Sequence, residues 1–457
     1  MTVASSISTI LRAAMSALSP PRLVWGLLTL VVMIAVGRVA DLAYRALGGP
    51  PVSPSGLAVG AWSDDQRASA RRSAVSAVAS FATGTTLGEQ LVATESTPSE
   101  LRAIVDGAFL ERVAKAKGAA ASSLYVRYHQ IQSSIDALRP RGPAEALGAE
   151  LASSLRTLGG AVLGLAPLVA LDAALDGLLR APAALVRFAP WFALLAGVPM
   201  LALVSVLGGG LCRMTAWDAG RSVKLPLVDA AMFVRRAMVR LALVPIFPVG
   251  VVGVSLVLMA TVGALMRVPV LDLVGGLLYG AVLVLSFLIA VGGVCFVVTW
   301  PLAIASVAAG DGDSVDAVVR SNAYLLRKPG MAVLALASAI VAVALGLAIA
   351  GGAALLTLNL AETAVGFWGG SGAALAAGDA GLLTPAFGAP PLGSGTARAA
   401  GAFVDLWELI TVLLVGGAAV SLIADAATRA YLVLRCACDG QDPSDIDGVP
   451  LGRAKID

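Results

Sequence analysis

The sequence predicts an all-α, polytopic helical membrane protein with about six transmembrane helices, additional interfacial helices and a small extramembrane helical domain. Of its 457 residues, 58% are hydrophobic and only 13% are charged, whereas soluble domains carry about 25% charged residues. The mean hydropathy is +0.87, and the apolar residues fall into several runs long enough to cross a bilayer as helices, which takes about 20 residues. These observations exclude a soluble multidomain protein.

Residues 1–47 predict an interfacial helix followed by the first transmembrane helix. Apolar residues recur at helical spacing up to Leu18, and the apolar run that starts at Leu23 continues into the segment RVADLAYRAL. A cleavable signal peptide is disfavoured, because no small-residue cleavage site follows this run. Arg38 and Asp41 are three residues apart, so we expect them to pair within the helix or to extend to the membrane interface.

Residues 48–156 predict an extracytoplasmic helical domain, because polar and charged residues recur there after the linker PPVSPSG. One predicted helix follows Ser63. A second begins at a capping box formed by Thr97 and Glu100, and a third covers residues 119–138. Basic and acidic residues nearly balance in this domain, so we expect no nucleic-acid partner.

Residues 157–186 are apolar but contain two aspartates one turn apart, Asp172 and Asp176. This pattern favours an interfacial or re-entrant helix over a transmembrane one. Residues 187–434 then predict a five-helix transmembrane core. The fourth predicted span of the chain covers residues 273–307. It is longer than a bilayer requires, so we expect it to tilt, kink or break near Gly292-Gly293 or Pro301.

Two basic segments within this core, at residues 213–240 and 308–330, predict cytoplasmic elbows. In the second, Ser314 is the predicted N-cap of a short helix that Pro329-Gly330 ends. The sequence of the first segment is weakly similar to that of the second, which suggests two related helical hairpins. The predicted membrane-surface anchors are the basic residues of these elbows: Arg213, Arg221, Lys224, Arg235, Arg236, Arg240, Arg320, Arg327 and Lys328.

The distribution of Lys and Arg predicts the orientation, because short cytoplasmic loops are enriched in them. The elbows and both termini hold most of these residues outside the helical domain, whereas Arg267 and Arg398 stand in loops of the opposite side. We therefore expect a multi-pass membrane protein with both termini cytoplasmic, a polar cytoplasmic tail at residues 435–457, and residues 48–156 outside.

Three runs carry a family resemblance: GGGLCRMTAWDAGRSVKLPLVDA, PLAIASVAAGDGDSVDAVVRSNAYLLRKP and RAYLVLRCACDGQDPSDI. They resemble uncharacterised multi-pass membrane proteins of planctomycete-type bacteria over most of the chain. A more distant similarity is to the membrane domains fused to some bacterial glycerophosphodiester phosphodiesterases. The phosphodiesterase domain and its metal-binding cluster are missing from this sequence. The resemblance therefore implies a fold, a topology and a location in the bacterial inner membrane, but no activity.

The sequence offers few groups for catalysis. His129 is its only histidine and is interpreted as a surface or packing residue, and Cys436 and Cys438 lack the spacing of a metal-binding pair. Asp425 and Arg429 are four residues apart and predict a local intrahelical pair rather than a transport site. We therefore expect no enzymatic activity, no cofactor and no metal site.

Two functions remain open from the sequence. The favoured one is a membrane scaffold or accessory subunit that presents the extracytoplasmic helical domain to a membrane or extracytoplasmic protein partner, with membrane lipids around it. The alternative is a carrier of small solutes or lipids. Glycine and alanine are abundant along the predicted spans, and small residues favour tight helix packing.

Overall fold

The computed structural model describes residues 3–53, 57, 63–85, 97–113, 138–267, 271–310, 312–368 and 396–446, together with scattered positions between 124 and 135. Across these residues the regular structure is helical, apart from one isolated antiparallel bridge between Val52 and Arg141. The prediction of an all-α chain is confirmed. His129, most of the predicted third helix and residues 369–395 lie outside the described residues.

Fourteen helices are named here, in chain order: α1 Val3–Leu11, α2 Ala13–Ser16, α3 Pro20–Ala46, α4 Asp64–Ala82, α5 Pro98–Val113, α6 Pro143–Leu163, α7 Pro167–Leu175, α8 Ala181–Phe188, α9 Pro190–Arg221, α10 Leu227–Leu265, α11 Leu271–Ala309, α12 Ser314–Arg327, α13 Pro329–Trp368 and α14 Thr396–Asp439. A π-helical turn, Asp176–Arg180, joins α7 to α8. Six of the described helices, α3, α9, α10, α11, α13 and α14, contain segments long and apolar enough to cross a membrane. The chain is thus a polytopic helical membrane protein.

The chain divides into two compact units. The first contains residues Met1–Gly37, Leu151–Ala350 and Gly416–Asp457, and the second contains Arg38–Glu150 and Gly351–Val415. The first unit holds one large hydrophobic core to which α1, α3, α9–α14 and their connections contribute. The second holds a smaller core built by α4, α5 and the described positions between 124 and 135.

Glycines permit very close helix contacts in the first unit. A Cβ atom built on Gly26 of α3 would lie 2.2 Å from the carbonyl oxygen of Gly417 in α14, and one built on Gly346 of α13 would lie 2.2 Å from the Leu422 side chain. Since real Cβ atoms do not approach backbone so closely, only glycine fits where α3 crosses α14. The abundant small residues therefore act as the helix-packing surfaces typical of membrane bundles.

The N-terminal segment is helical as predicted, and its apolar side packs against protein, whereas its position at the membrane interface stays a prediction. Ile10, Ala13 and Ala17 are almost fully buried, and they belong to the large core of the first unit. The apolar side of α1 and α2 thus faces protein rather than lipid, because α13 and α14 supply apolar partners such as Ala335 and Val433. Periodicity alone identifies an apolar face but not what covers it.

The second elbow forms a separate helix, α12, as predicted, with its N-cap shifted by one residue. Asp313 has extended backbone geometry and its side chain accepts a hydrogen bond from the Ser314 amide, so Asp313 is the N-cap and Ser314 the first helical residue. The first elbow contains no separate helix: α9 ends at Arg221, and α10 starts at Leu227 and continues as a span. Pro329 starts α13 instead of merely ending α12.

Two other helices are more continuous than expected. Helix α11 runs for 39 residues without a break at Gly292-Gly293 or Pro301, whereas the expected tilt or kink stays a prediction. Helix α14 continues to Asp439, so Cys436 and Cys438 lie on its last turn rather than in a polar tail. The extension is stable because the residues from Tyr431 to Leu434 are buried in the large core.

The first two helices of the helical domain, α4 and α5, begin where the sequence predicted. Ser63 and Gln66 form a reciprocal capping box at α4, and Thr97 and Glu100 form one at α5. The small core contains Val78 and Phe81 of α4 and the apolar side of α5, packed against Tyr128, Ile131 and Ile135. Each cap satisfies two amide donors that a helix start otherwise leaves to solvent.

Candidate functional site

Four charged side chains meet inside the first unit and form what we call the charge network: Arg22, Asp218, Asp425 and Arg429. Arg22 lies 3.0 Å from Asp425 and 2.9 Å from Asp218. Arg429 lies 3.1 Å from Asp425 and 3.4 Å from Asp218. Each guanidinium therefore bridges both carboxylates.

Three helices distant in sequence bring the charge network together. Arg22 stands in the first turn of α3, Asp218 in the last turn of α9, and Asp425 and Arg429 one turn apart on α14. Helix α2 adds Ser16, whose hydroxyl donates to Asp425 at 2.6 Å and accepts from Arg429 at 2.9 Å. The network thus joins four segments of the chain at one point.

Burial makes charge balance essential at this point. The side chain of Asp425 is 0% exposed, those of Arg22 and Arg429 are 5% and 6% exposed, and only Asp218 reaches solvent, at 24%. Two cations and two anions give a net charge of zero. A buried ion costs several kcal/mol unless partners surround it, and here each buried ion has partners of the opposite sign as well as hydrogen bonds.

The arrangement is suited to holding helices together. Both oxygens of Asp425 are engaged, and Arg22 also donates to the carbonyl oxygen of Met214 at 3.3 Å. Because these groups already bind one another, a ligand would have to displace an internal partner. Where the structure describes the chain, three or more His, Cys, Asp or Glu side chains nowhere gather in a group that could hold a metal ion.

Comparisons with protein families, curated proteins and solved structures found no match to this chain. The family resemblance drawn from its sequence therefore stays a prediction.

One contact of the charge network was predicted from the sequence. The intrahelical contact between Asp425 and Arg429 is present, but it belongs to a four-residue cluster rather than to an isolated pair. Sequence reasoning missed Arg22, which lies in the basic N-terminal segment, and Asp218, which lies in the elbow predicted at residues 213–240. The available signal was their position at the ends of apolar helices, where a charge either meets headgroups or turns inward to a partner.

Arg38 and Asp41 have different partners from those predicted. Arg38 lies 2.9 Å from Glu145, while the two carboxylate oxygens of Asp41 accept hydrogen bonds from the amides of Ala144 and Glu145 at 2.8 and 2.9 Å. Asp41 therefore acts as an anionic cap at the start of α6. Of the two alternatives, the intrahelical pair is replaced by contacts between the end of α3 and the start of α6, and a position at the membrane interface stays a prediction.

Two predicted membrane-surface anchors are engaged by protein. Arg213 donates to the carbonyl oxygen of Ala308 at 2.7 Å and lies over the Phe233 ring at 4.9 Å. Arg221 stacks on Trp217 at 4.6 Å and donates to the carbonyl oxygen of Ser444 at 3.1 Å, which holds the segment after α14 against the end of α9.

The anchors of the second elbow also contact the chain. Arg320 lies 2.9 Å from Asp316, Arg327 lies 3.6 Å from Asp439, and Lys328 donates to the carbonyl oxygen of Ala437. Of the remaining predicted anchors, Arg240 is half-buried, whereas Lys224, Arg235 and Arg236 are exposed. A role at the membrane surface stays a prediction for these residues.

The helical domain contains a buried acid that sequence patterns did not reveal. Oδ1 of Asp106 accepts hydrogen bonds from the Tyr128 hydroxyl at 2.8 Å and from Gln132 at 2.7 Å. Its Oδ2 is buried and has no hydrogen-bond partner among the described residues. Burial raises the pKa of the Asp106 carboxyl to about 6, although both hydrogen bonds and the Arg102 charge lower it.

Asp172 and Asp176 share a single cation. Arg180 lies 2.9 Å from Asp172 and 2.5 Å from Asp176. All three side chains are largely exposed, so these ion pairs contribute little to stability. The aspartates border a shallow polar groove that is also lined by Ser153, Ser154 and Thr157 of α6.

Proposed function

We propose that the protein is a non-enzymatic scaffold or accessory subunit of a complex in the bacterial inner membrane. In this proposal, both termini are cytoplasmic, and the helical domain at residues 48–156 is presented to a protein partner in the extracytoplasmic space or in the membrane. The observation that carries the proposal is the way in which the chain holds both ends of this domain.

The two ends of the domain meet at what we call the neck, formed by the end of α3 and residues 139–145. Asp41 caps α6, Arg38 pairs with Glu145, and Arg45 donates to the carbonyl oxygen of Pro140 at 2.6 Å. A backbone bridge between Val52 and Arg141 lies beside these contacts. A domain whose ends are fastened in this way is presented as one body, as a docking module requires.

The charge network supports a static role for the first unit. It fixes α2, α3, α9 and α14 with directional bonds, and the glycine contact between Gly26 and Gly417 closes the space between α3 and α14. Movement of these helices past one another would separate buried opposite charges, which costs several kcal/mol. A helix bundle held by such ion pairs is better suited to a static scaffold than to a carrier whose helices move during transport.

Co-purification tests the proposal. The full-length tagged protein would be extracted from its native membrane and compared with a variant in which a short Gly-Ser linker replaces residues 64–138, leaving the neck intact. We expect a stoichiometric partner with the full-length protein and its loss with the shortened variant. A second variant, Asp172→Asn with Asp176→Asn, serves as a control because it leaves the helical domain unchanged.

A carrier function is the alternative, and the polar groove between α6 and α7 is the observation that favours it. Its hydroxyl and carboxylate groups would suit a small polar or cationic solute. Full-length protein reconstituted into sealed vesicles would then show solute or lipid flux that the Asp172→Asn, Asp176→Asn variant lacks. Such flux, together with an unchanged partner profile after removal of the helical domain, would refute the scaffold proposal.

A further inference from the structure

The first turns of α10 carry exposed cations and exposed apolar side chains together. Lys224 precedes the helix, and Arg235 and Arg236 follow within it; all three are exposed. Val228 and Val239 are 67% and 65% exposed. Positions 228, 235 and 239 are spaced by seven and four residues, which places them along one side of the helix. We call the exposed surface formed by these two valines and the three cations, Lys224, Val228, Arg235, Arg236 and Val239, the basic face.

The length of α10 exceeds what a bilayer core requires. The helix has 39 residues, or about 58 Å at 1.5 Å per residue, whereas the hydrocarbon core is about 30 Å thick. The apolar part of the helix begins at Leu241, only five residues after Arg236. With this apolar part across the hydrocarbon core, the basic face would lie at the height of the phospholipid headgroups.

The cations in and just after α12 differ from those of the basic face because they contact other groups of the protein. Arg320, Arg327 and Lys328 contact Asp316, Asp439 and the carbonyl oxygen of Ala437, respectively. Their charge is thus partly met by the protein. On the basic face the nearest acid in sequence, Asp229, is half-buried in the first turn of α10, whereas Lys224, Arg235 and Arg236 are exposed.

We propose that the basic face binds anionic phospholipids of the surrounding bilayer, with their headgroup phosphates on Lys224, Arg235 and Arg236 and their upper acyl chains against Val228 and Val239. Cations at a membrane surface attract anionic headgroups, while exposed apolar side chains beside them enter the boundary of the acyl chains. The proposal concerns a lipid class and is independent of the protein partner proposed above.

Lipid binding to the full-length protein tests the proposal directly. The protein, in a non-ionic detergent, is titrated with phosphatidylglycerol or phosphatidylcholine, and bound lipid is counted by native mass spectrometry. We expect a preference for phosphatidylglycerol that falls on the order of a hundredfold in the triple variant Lys224→Gln, Arg235→Gln, Arg236→Gln, since each headgroup-facing cation contributes about fivefold. High salt should weaken the preference in the native protein.

The matched control removes the same number of charges from α12: Arg320→Gln, Arg327→Gln, Lys328→Gln. It should keep most of the preference. The charge-preserving variant Lys224→Arg, Arg235→Lys, Arg236→Lys should also keep it, which separates loss of charge from loss of fold.

Four results would overturn the proposal. The first two are equal binding of the two lipids by the native protein, and a loss of the phosphatidylglycerol preference in the α12 control as large as in the triple variant. The third is complete displacement of phosphatidylglycerol by inorganic phosphate at the same concentration. The fourth is an acidic protein that co-purifies with the native protein and is absent from the triple variant of the basic face.

Discussion

Replacing Arg22 with methionine removes one of the two cations that the charge network uses to balance Asp218 and Asp425. The methionine retains much of the apolar stem, so the change is mainly electrostatic. Asp425 is fully buried, and it loses its contact at 3.0 Å with Arg22. Removing one partner of a buried ion pair costs roughly 3–5 kcal/mol. Arg429 still lies 3.1 Å from Asp425, so we expect the lower end of this range.

A second substitution tests whether charge balance is the cause. Asp218→Asn added to Arg22→Met returns the network to neutrality, leaving Asp425 paired with Arg429 and hydrogen-bonded to Ser16. We expect the double variant to recover about 1–3 kcal/mol relative to the sum of the two single variants, the coupling typical of residues in contact.

Equilibrium unfolding of the full-length protein in mixed detergent micelles, followed by circular dichroism, gives the four free energies of this cycle. Arg267→Met is a suitable control, since Arg267 is an exposed residue just after α10. The reasoning fails if Arg22→Met is as stable as the native protein, or if the two single effects simply add in the double variant.

Three further outcomes are expected. Gly26→Ala should destabilise the bundle by at least about 2 kcal/mol in the same unfolding assay, because its Cβ would lie 2.2 Å from the Gly417 carbonyl oxygen. Asp41→Ala should weaken the start of α6 by about 1–2 kcal/mol through loss of two hydrogen bonds, which faster hydrogen exchange at residues 143–148 would show. Asp106→Asn should abolish a pH dependence of the helical domain. Because the folded-state pKa of Asp106 is raised to about 6 from 3.8, the native domain loses stability as the pH rises between these values. Above pH 6 the variant should be the more stable by up to about 3 kcal/mol, measured by hydrogen exchange of α5 corrected for its intrinsic rate.

Each of these three predictions has a result that would contradict it, and the first also has a control variant. Gly253→Ala lies in α10 where a Cβ would meet no atom within 4 Å, so it should be neutral or slightly stabilising; equal losses at Gly26 and Gly253 would argue against close packing as the cause. Normal exchange at the neck in Asp41→Ala would show that its cap is dispensable. For Asp106→Asn, a pH profile parallel to that of the native domain would mean that another group titrates.

Local chemistry explains why some elements could be predicted from the sequence. The capping boxes at Ser63 and Thr97 involve residues three apart, and the six apolar helices are recognisable from composition over some 20 residues. The elbow helix α12 was predicted from Ser314 at its start and from Pro329-Gly330 at its end. Its N-cap was missed by one residue because aspartate and serine stand side by side and both suit that position.

The candidate site could be predicted only where its partners are near in sequence. The contact between Asp425 and Arg429 follows from helical periodicity, which places residues four apart on one face. Arg22 is about 400 residues from Asp425, and no local pattern shows that a cation at the start of an apolar helix turns towards a distant carboxylate instead of a headgroup. The same ambiguity produced the prediction that Arg213 and Arg221 are membrane-surface anchors.

The sequence by itself determined the class of the protein: an all-α, polytopic membrane chain with a helical domain between its first and second spans. Those properties depend on hydropathy and on short-range periodicity, which each segment carries alone. Only the tertiary structure decided which polar groups face one another. It buried Arg22 against Asp425, placed Asp41 at the start of α6 as a cap, and covered the apolar side of α1 with protein. Such choices depend on which distant surfaces meet, because a buried charge is stable only beside its partner.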